Sequence, residues 1–300
     1  MDKRSQPVIG VIKANLFLAS GVFFWAMGFP AAEVLLEILE PLPVITVRLV
    51  LASIVLLLVW LTVEGLNSVL QAPWIKAISI GILGLGFSGY LFLKAQSLTD
   101  PVTVAVAAAS LPAFAATLEV VLDNRRIKFT FVSGVILAIL GGIVAIGFRE
   151  TSDGSSNFFG GFLVCLASFS YAWGTRASVK NLPELSALAR TTTTVIGAAL
   201  FLGSILIFGI ALDFQSLTWE VLSPRYTAAL IVHALFGIAI SQWLYINGVS
   251  KVGVAVASVH VNAAPFYVMM IVVLLGGDWS WVSLYGAILI GLGVFLANKK

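Results

Sequence analysis

PVTVAVAAASLPAFAATLEVVL, residues 101–122, and VGVAVASVHVNAAPFYVMMIVVLL, residues 252–275, are two versions of one segment. Both open with small and β-branched residues, reach a proline beside an aromatic near the middle, and close on aliphatics. Pro112 stands two residues before Phe114, and Pro265 directly precedes Phe266. An apolar run of about 20 residues is long enough for a helix to cross a hydrocarbon core of about 30 Å. The second copy carries His260 and Asn262 where the first carries mostly alanine and Ser110. One membrane helix written twice, with one version enriched in polar groups, predicts a duplicated membrane protein with its working site between the copies.

The rest of the chain agrees. Its 300 residues are 60% hydrophobic and 10% charged, whereas about 25% charged residues is usual in a soluble domain. A membrane β-barrel would require alternating polar and apolar residues, and that pattern is absent. The expected fold is an all-α integral membrane protein embedded in a lipid bilayer. Cys165 is the single cysteine and sits in an apolar run, so no intrachain disulfide framework is possible. The net charge of +3 reads as positive loops and not as a nucleic-acid surface. No metal or cofactor is implied.

Ten spans can be drawn, at 14–36, 44–63, 74–97, 101–122, 129–148, 158–180, 185–211, 226–249, 252–275 and 280–297. Pro41, Pro43, Pro73, Pro101, Pro183 and Pro224 fall near their boundaries, where proline suits first turns and loops. If the N-terminus faces the cytoplasm, Lys3, Arg4, Lys13, Lys76, Arg125, Arg126, Lys128, Lys180, Lys251, Lys299 and Lys300 fall inside. Arg149 and Arg225 fall outside. The positive-inside rule therefore predicts a multi-pass protein of the plasma (inner) membrane with both termini cytoplasmic.

The duplication extends through the chain. Trp25 answers Trp173 (173 − 25 = 148), Arg48 answers Arg190 (190 − 48 = 142), and Gly134 and Gly141 answer Gly286 and Gly293 (286 − 134 = 152). The units are 1–150 and 151–300, each of five spans. An odd number of spans per unit starts the second on the opposite side and predicts inverted repeats, an arrangement many secondary transporters build around a midplane site.

In these features the chain resembles the EamA-type branch of the drug/metabolite transporter superfamily. Trp25, Arg48, Pro112, Gly134 and Gly141 stand in one half; Trp173, Arg190, Pro265, Gly286 and Gly293 stand in the other. LDNRR and LGGDW replace the usual L-G-E segments, with Asn124 and Gly277 near the position of the glutamate. The resemblance implies a carrier of small metabolites, often outward; glycines in spans 5 and 10 read as scaffold or dimer contacts, so a monomer or homodimer is expected.

Ionisable residues within spans are costly and commonly face a cavity. They are Glu33, Arg48, Lys94, Glu119, Arg176, Arg190, His233 and His260. Arg48 and Arg190, near helix starts, read as structural or interfacial. His260 ranks first as a site residue and a possible proton carrier, because Asn262 and Tyr267 accompany it and Pro265 frees a nearby carbonyl. Deep aromatics and amides complete the expected substrate pocket: Trp25, Tyr90, Ser110, Tyr171, Trp173, Gln242, Tyr245, His260, Asn262 and Tyr267. Pro112 and Pro265 would break their helices for gating. Such a pocket suits a small amphipathic solute, an amino acid first. Sugar phosphates, taken up or exchanged, are the alternative and would require paired basic residues. No G-x-x-x-x-G-K-[ST] sequence is present, so a gradient or exchange must drive transport. Gly86-Phe87-Ser88-Gly89 matches the G-x-S-G of rhomboid-type proteases, an enzymatic reading that the five-plus-five duplication disfavours.

Overall fold

The computed structural model describes residues 8–122, 129, 133, 134, 136, 137, 140, 154–217 and 222–298. Among them the helices are α1 (Val8–Leu36), α2 (Pro41–Leu70), α3 (Trp74–Gln96), α4 (Pro101–Leu122), α5 (Gly154–Asn181), α6 (Ala187–Ala211), α7 (Pro224–Val252), α8 (Val254–Leu274) and α9 (Trp281–Asn298). Described residues of α1 to α8 supply eight helices long and apolar enough to cross a membrane. Helix α9, 18 residues long, occupies the place expected for the last span. The expected span 129–148, with Gly141, lies mostly outside the described residues. So do Asn124, Arg149 and the basic positions Lys3, Arg4, Arg125, Arg126, Lys128, Lys299 and Lys300.

Boundaries follow from local chemistry. Pro41 opens α2 and Pro101 opens α4, where a missing N–H costs nothing. The Asp100 side chain accepts from the backbone N–H groups of Val102 (3.0 Å) and Thr103 (3.1 Å) and caps α4. Ser186 caps α6 by accepting from Ala189 N at 3.0 Å, and its hydroxyl also donates to Glu64 Oε1 at 2.5 Å, tying α6 to α2. Gly65 interrupts α2 at φ 81°, a conformation that excludes most side chains.

Four helices depart from α geometry inside the membrane. In α4 the first α segment ends at Ala108, four residues before Pro112, the carbonyl a proline ring opposes. In α8 a 3₁₀ segment, Val259–Ala263, leads into Ala264 and Pro265. Helices α3 and α7 carry π segments at Ile82–Gly86 and Val232–Ile240, whose starts differ by 232 − 82 = 150. Extra residues inserted into a helix this way recur at functional sites. In both helices a serine follows and returns its hydroxyl to the carbonyl four residues back. Ser88 Oγ donates to Gly84 O at 2.6 Å, and Ser241 Oγ to Gly237 O at 2.9 Å.

The halves pack reciprocally. Helix α1 lies on α7 and α5 lies on α3, while α2 packs on α6. Both crossings are glycine on glycine. A Cβ on Gly84 would stand 2.4 Å from Gly174 Cα, and one on Gly28 would stand 3.2 Å from Gly237 Cα. Gly84 and Gly237 occupy corresponding places (237 − 84 = 153) beside their π segments. Small residues let helix backbones meet this closely in a membrane. Buried apolar clusters formed around Trp60, Val268 and Leu18 fill the interior. Val50, Ile54 and Leu58 on α2, and Ile205, Phe208 and Leu212 at the end of α6, point outward and exposed, as lipid-facing residues should.

Candidate functional site

The central cavity is assembled from both halves. Helix α1 supplies Gly21, Val22 and Trp25; α2 supplies Arg48; α3 supplies Leu85, Ser88, Gly89 and Phe92; α4 supplies Leu111. From the other half come Tyr171 of α5, Ile238, Ser241, Gln242 and Tyr245 of α7, and Val261 of α8. Three pairs of lining residues are related by one offset: Leu85 and Ile238, Ser88 and Ser241, Gly89 and Gln242 (238 − 85 = 241 − 88 = 242 − 89 = 153). The π segments put these pairs there, because they end within one turn of both serines.

The wall is aromatic with a few directed polar groups. Trp25 meets Phe29 edge-on with centroids 4.9 Å apart and Phe92 at 6.0 Å. Tyr171 donates its hydroxyl to Gln242 Oε1 at 2.7 Å, which fixes the amide of Gln242, and its ring lies 6.1 Å from that of Tyr245. The Tyr245 hydroxyl is buried and has no hydrogen-bond partner among the described residues. Both serine protons are committed to backbone carbonyls, so toward anything in the cavity the two oxygens can only accept. In this conformation water-sized centres have about 40 Å³ in which to move. That admits a few waters, at about 10–15 Å³ for each.

Among the described residues one charged group reaches the cavity. Arg48 is 8% exposed, and its NH1 donates to His233 Nε2 at 2.8 Å. His233 lies in the π segment of α7 and is 2% exposed. Because a guanidinium only donates, the Nε2 it meets must be the unprotonated nitrogen of the ring. The ring is seated against α1, where a Cβ on Gly28 would stand 3.3 Å from His233 Nδ1. A second cavity lies on the other side of the pair, lined by Trp25, Gly28, Phe29, Arg48, Phe92, Leu93, Gln96 and His233. Arg48 thus borders both spaces.

The corresponding arginine behaves differently. Arg190 turns back on the turn before its helix, with Nε donating to Leu182 O at 2.8 Å and NH2 to Pro183 O at 3.1 Å. Its NH1 donates to Ser250 Oγ at 2.9 Å. Arg190 therefore joins α6 to the preceding turn and to α7, whereas Arg48 turns inward.

Of the residues expected in a substrate pocket, Trp25, Tyr171, Gln242 and Tyr245 meet at the central cavity. Tyr90, Ser110, Trp173, His260, Asn262 and Tyr267 are absent from its lining. Tyr90 and Trp173 pack against the buried apolar clusters, and Ser110 donates to Ala107 O at 2.6 Å within the break of α4. Tyr267 packs edge-on against Phe23 at 5.5 Å. His260 and Asn262 lie in the 3₁₀ segment of α8. At about three residues per turn the α-helical face assignment fails, and Val261 is the residue of that segment that lines the cavity. Arg48 and His233 escaped a sequence-based site because they are 185 residues apart, Arg48 stands near a helix start, and His233 is flanked by Val232 and Ala234. Their common signal is an ionisable group in an apolar span. Ser88, raised by the protease-like pattern, has its proton on Gly84 O, and His233 has its Nε2 on Arg48.

Described residues that form helices, eight of them long and apolar enough to span a membrane and arranged around a shared cavity, make this a multi-pass membrane protein. The EamA-like transporter family model matches it twice, over residues 12–147 and 158–299, and the chain belongs to that family. It is 24% identical over 315 residues to the "Uncharacterized transporter YetK" of Bacillus subtilis (strain 168), covering 100% of this chain and 94% of that protein. A crystal structure 18% identical in sequence has the same fold, with a TM-score of 0.70 over 95% of this chain and 96% of the other.

Proposed function

We propose that this protein is a secondary transporter that exports amino acids or related small amphipathic metabolites by alternating access at the cavity between its halves. In this reading the chain forms ten membrane helices as two inverted five-helix repeats, sits in the plasma (inner) membrane with both termini cytoplasmic, and works as a monomer or homodimer. The observation that carries the reading is the composition of the cavity. Trp25, Phe92 and Tyr171 offer apolar ring surface, Gln242 and Tyr245 offer hydrogen bonds, and Ser88 and Ser241 offer lone pairs. That set matches a zwitterion with an apolar side chain, held by a few polar groups in a mainly apolar site. The glycine crossings at Gly84/Gly174 and Gly28/Gly237 are narrow contacts about which the halves can rock.

Sugar phosphates are the weaker reading. A dianionic phosphate would require several cations at close quarters, and among the described residues Arg48 alone lines the cavity with a positive charge. Transport is driven by a gradient or by exchange. His260, away from the cavity lining, is not an element of this proposal.

Counterflow in proteoliposomes tests it. Vesicles loaded with an unlabelled amino acid are expected to accumulate the same labelled amino acid transiently and saturably. Trp25→Ala should raise KM for the same solute. Flux that neither saturates nor responds to internal amino acid would overturn the carrier reading, and counterflow by sugar phosphates alone would overturn the substrate class.

A further inference from the structure

We propose that the free edge of Arg48 is a carboxylate-binding subsite, with His233 as the residue that positions it, and that the solute is a monocarboxylate. This rests on the transport reading for its setting and assigns the chemical group by which the solute is held.

The argument begins with an imbalance. Arg48 is almost entirely enclosed, yet its Nε is buried without any hydrogen-bond partner. Among the described residues its only hydrogen bonds run from NH1 to His233. A guanidinium carries five N–H donors and remains charged. Leaving one in a membrane interior with no paired carboxylate is unfavourable unless an anion completes it. The family-related Arg190 shows the alternative outcome, since Nε, NH1 and NH2 all have protein acceptors. Two arginines at corresponding positions thus differ in one respect. One is used up by the fold, and the other keeps Nε and NH2 without an acceptor among the described residues, beside a cavity.

Gly89, which has no side chain, lies against that edge and lines the same cavity. A Cβ there would stand 3.6 Å from Arg48 NH2 and 2.9 Å from Ile45 Cδ1. The residue at the same offset in the other half is Gln242, so a side chain stands there and none at Gly89. The Nε and NH2 hydrogens lie parallel in one plane and match the two oxygens of a carboxylate. His233 accepts from NH1, the remaining nitrogen, and so fixes the plane of the fork without neutralising it. A single fork supplies one positive charge, which suits a monoanion. Trp25 and Phe92 line both cavities that Arg48 borders, so the apolar part of such a solute has ring surface beside its carboxylate.

The experiment compares matched solutes on the purified full chain in detergent. L-leucine and L-phenylalanine are each titrated against their amides and their decarboxylated amines, with glucose 6-phosphate alongside, and binding is read by thermal shift and calorimetry. At least one acid should bind about tenfold or more tightly than its own amide and amine, as a charge-assisted paired contact entails. Arg48→Met should abolish that ratio while unfolding at or above the wild-type temperature, because it removes an unpaired buried charge. A merely structural Arg48 would instead lower the unfolding temperature, as Arg190→Met should. His233→Ile should reduce the ratio, and His233→Gln, which keeps an acceptor for NH1, should restore most of it. Equal binding of acid and amide, binding by glucose 6-phosphate alone, no binding by either acid, or an unchanged ratio in Arg48→Met each overturn the subsite. If Arg48→Met fails to fold, Arg48→Lys decides, since it keeps the charge and loses the fork; a wild-type ratio there overturns the proposal. Acids that bind through Arg48 yet give no counterflow in proteoliposomes leave the subsite standing and reject the carrier reading.

Discussion

Substituting alanine at the two glycine crossings separates a contact that cannot yield from one that nearly fits. A Cβ added at Gly84 would stand 2.4 Å from Gly174 Cα, and one added at Gly174 would stand 2.3 Å from Gly84 Cα. Ordinary van der Waals contact begins at 3.4 Å, so α3 and α5 must part by about 1.0 Å (3.4 − 2.4). At the other crossing, Gly28 to Gly237 Cα, the shortfall is only 0.2 Å (3.4 − 3.2). Overpacking costs about 1–3 kcal/mol, while alanine gains about 1 kcal/mol over glycine in a helix. Gly84→Ala, at the upper end of the penalty, should destabilise by about 2 kcal/mol net; Gly28→Ala should come out near zero. The double variant Gly84→Ala/Gly174→Ala should cost less than the sum of its parts, because the first methyl group already separates the helices. Unfolding in detergent or by SDS titration, followed by tryptophan fluorescence, measures all four. Equal stability of Gly84→Ala and wild type, or a larger loss for Gly28→Ala, would refute the reasoning that these backbone contacts set the packing of the halves.

Other consequences are more local. Arg190→Met removes three donors to Leu182 O, Pro183 O and Ser250 Oγ and should destabilise by about 2–4 kcal/mol, measured by the same unfolding assay. Tyr171→Phe deletes the 2.7 Å bond that holds Gln242; KM in counterflow should rise roughly two- to tenfold, as one neutral hydrogen bond permits, with the unfolding temperature little changed. Asp100→Ala loses two N–H contacts at the start of α4 and should lower stability by about 1 kcal/mol.

Most of the helical layout was legible in the sequence, because hydropathy and proline spacing depend on local composition. The expected span 101–122 coincides with α4, and 74–97 with α3 to within one residue. The breaks before Pro112 and Pro265 were legible for the same reason, since a missing N–H acts on its own helix. The site was legible only in part. Trp25, Tyr171, Gln242 and Tyr245 were expected from the residue types themselves. His260 was favoured on α-helical spacing, and the 3₁₀ turn at Val259–Ala263 changes which residue faces inward. The π segments are invisible to hydropathy, since they alter hydrogen bonding and not composition, yet they bring Ser88 and Ser241 to the cavity. Arg48 and His233 belong to different halves, and no local pattern joins residues separated by 185 positions.

The positions that diverged between the halves are as informative as those that match. Gly84 and Gly237, Ser88 and Ser241, and Pro112 and Pro265 keep their identities at an offset of 153. These residues set helix geometry: close approach, a capped π segment, an interrupted helix. Each half requires the same geometry to pack on the other, so both copies retain it. The same offset sets Ile80 against His233 (233 − 80 = 153) and Gly89 against Gln242, and these are the positions that border Arg48. Arg190 offers no such edge, because its Nε, NH1 and NH2 all have protein acceptors. A pair of identical charged sites would also place two unpaired cations in one small cavity, where their repulsion is screened poorly. A duplicated frame around a single anion therefore calls for symmetry in the helices and asymmetry in the charges. Arg48 with His233 and Gly89, set against a tied Arg190 with Ile80 and Gln242, has that form.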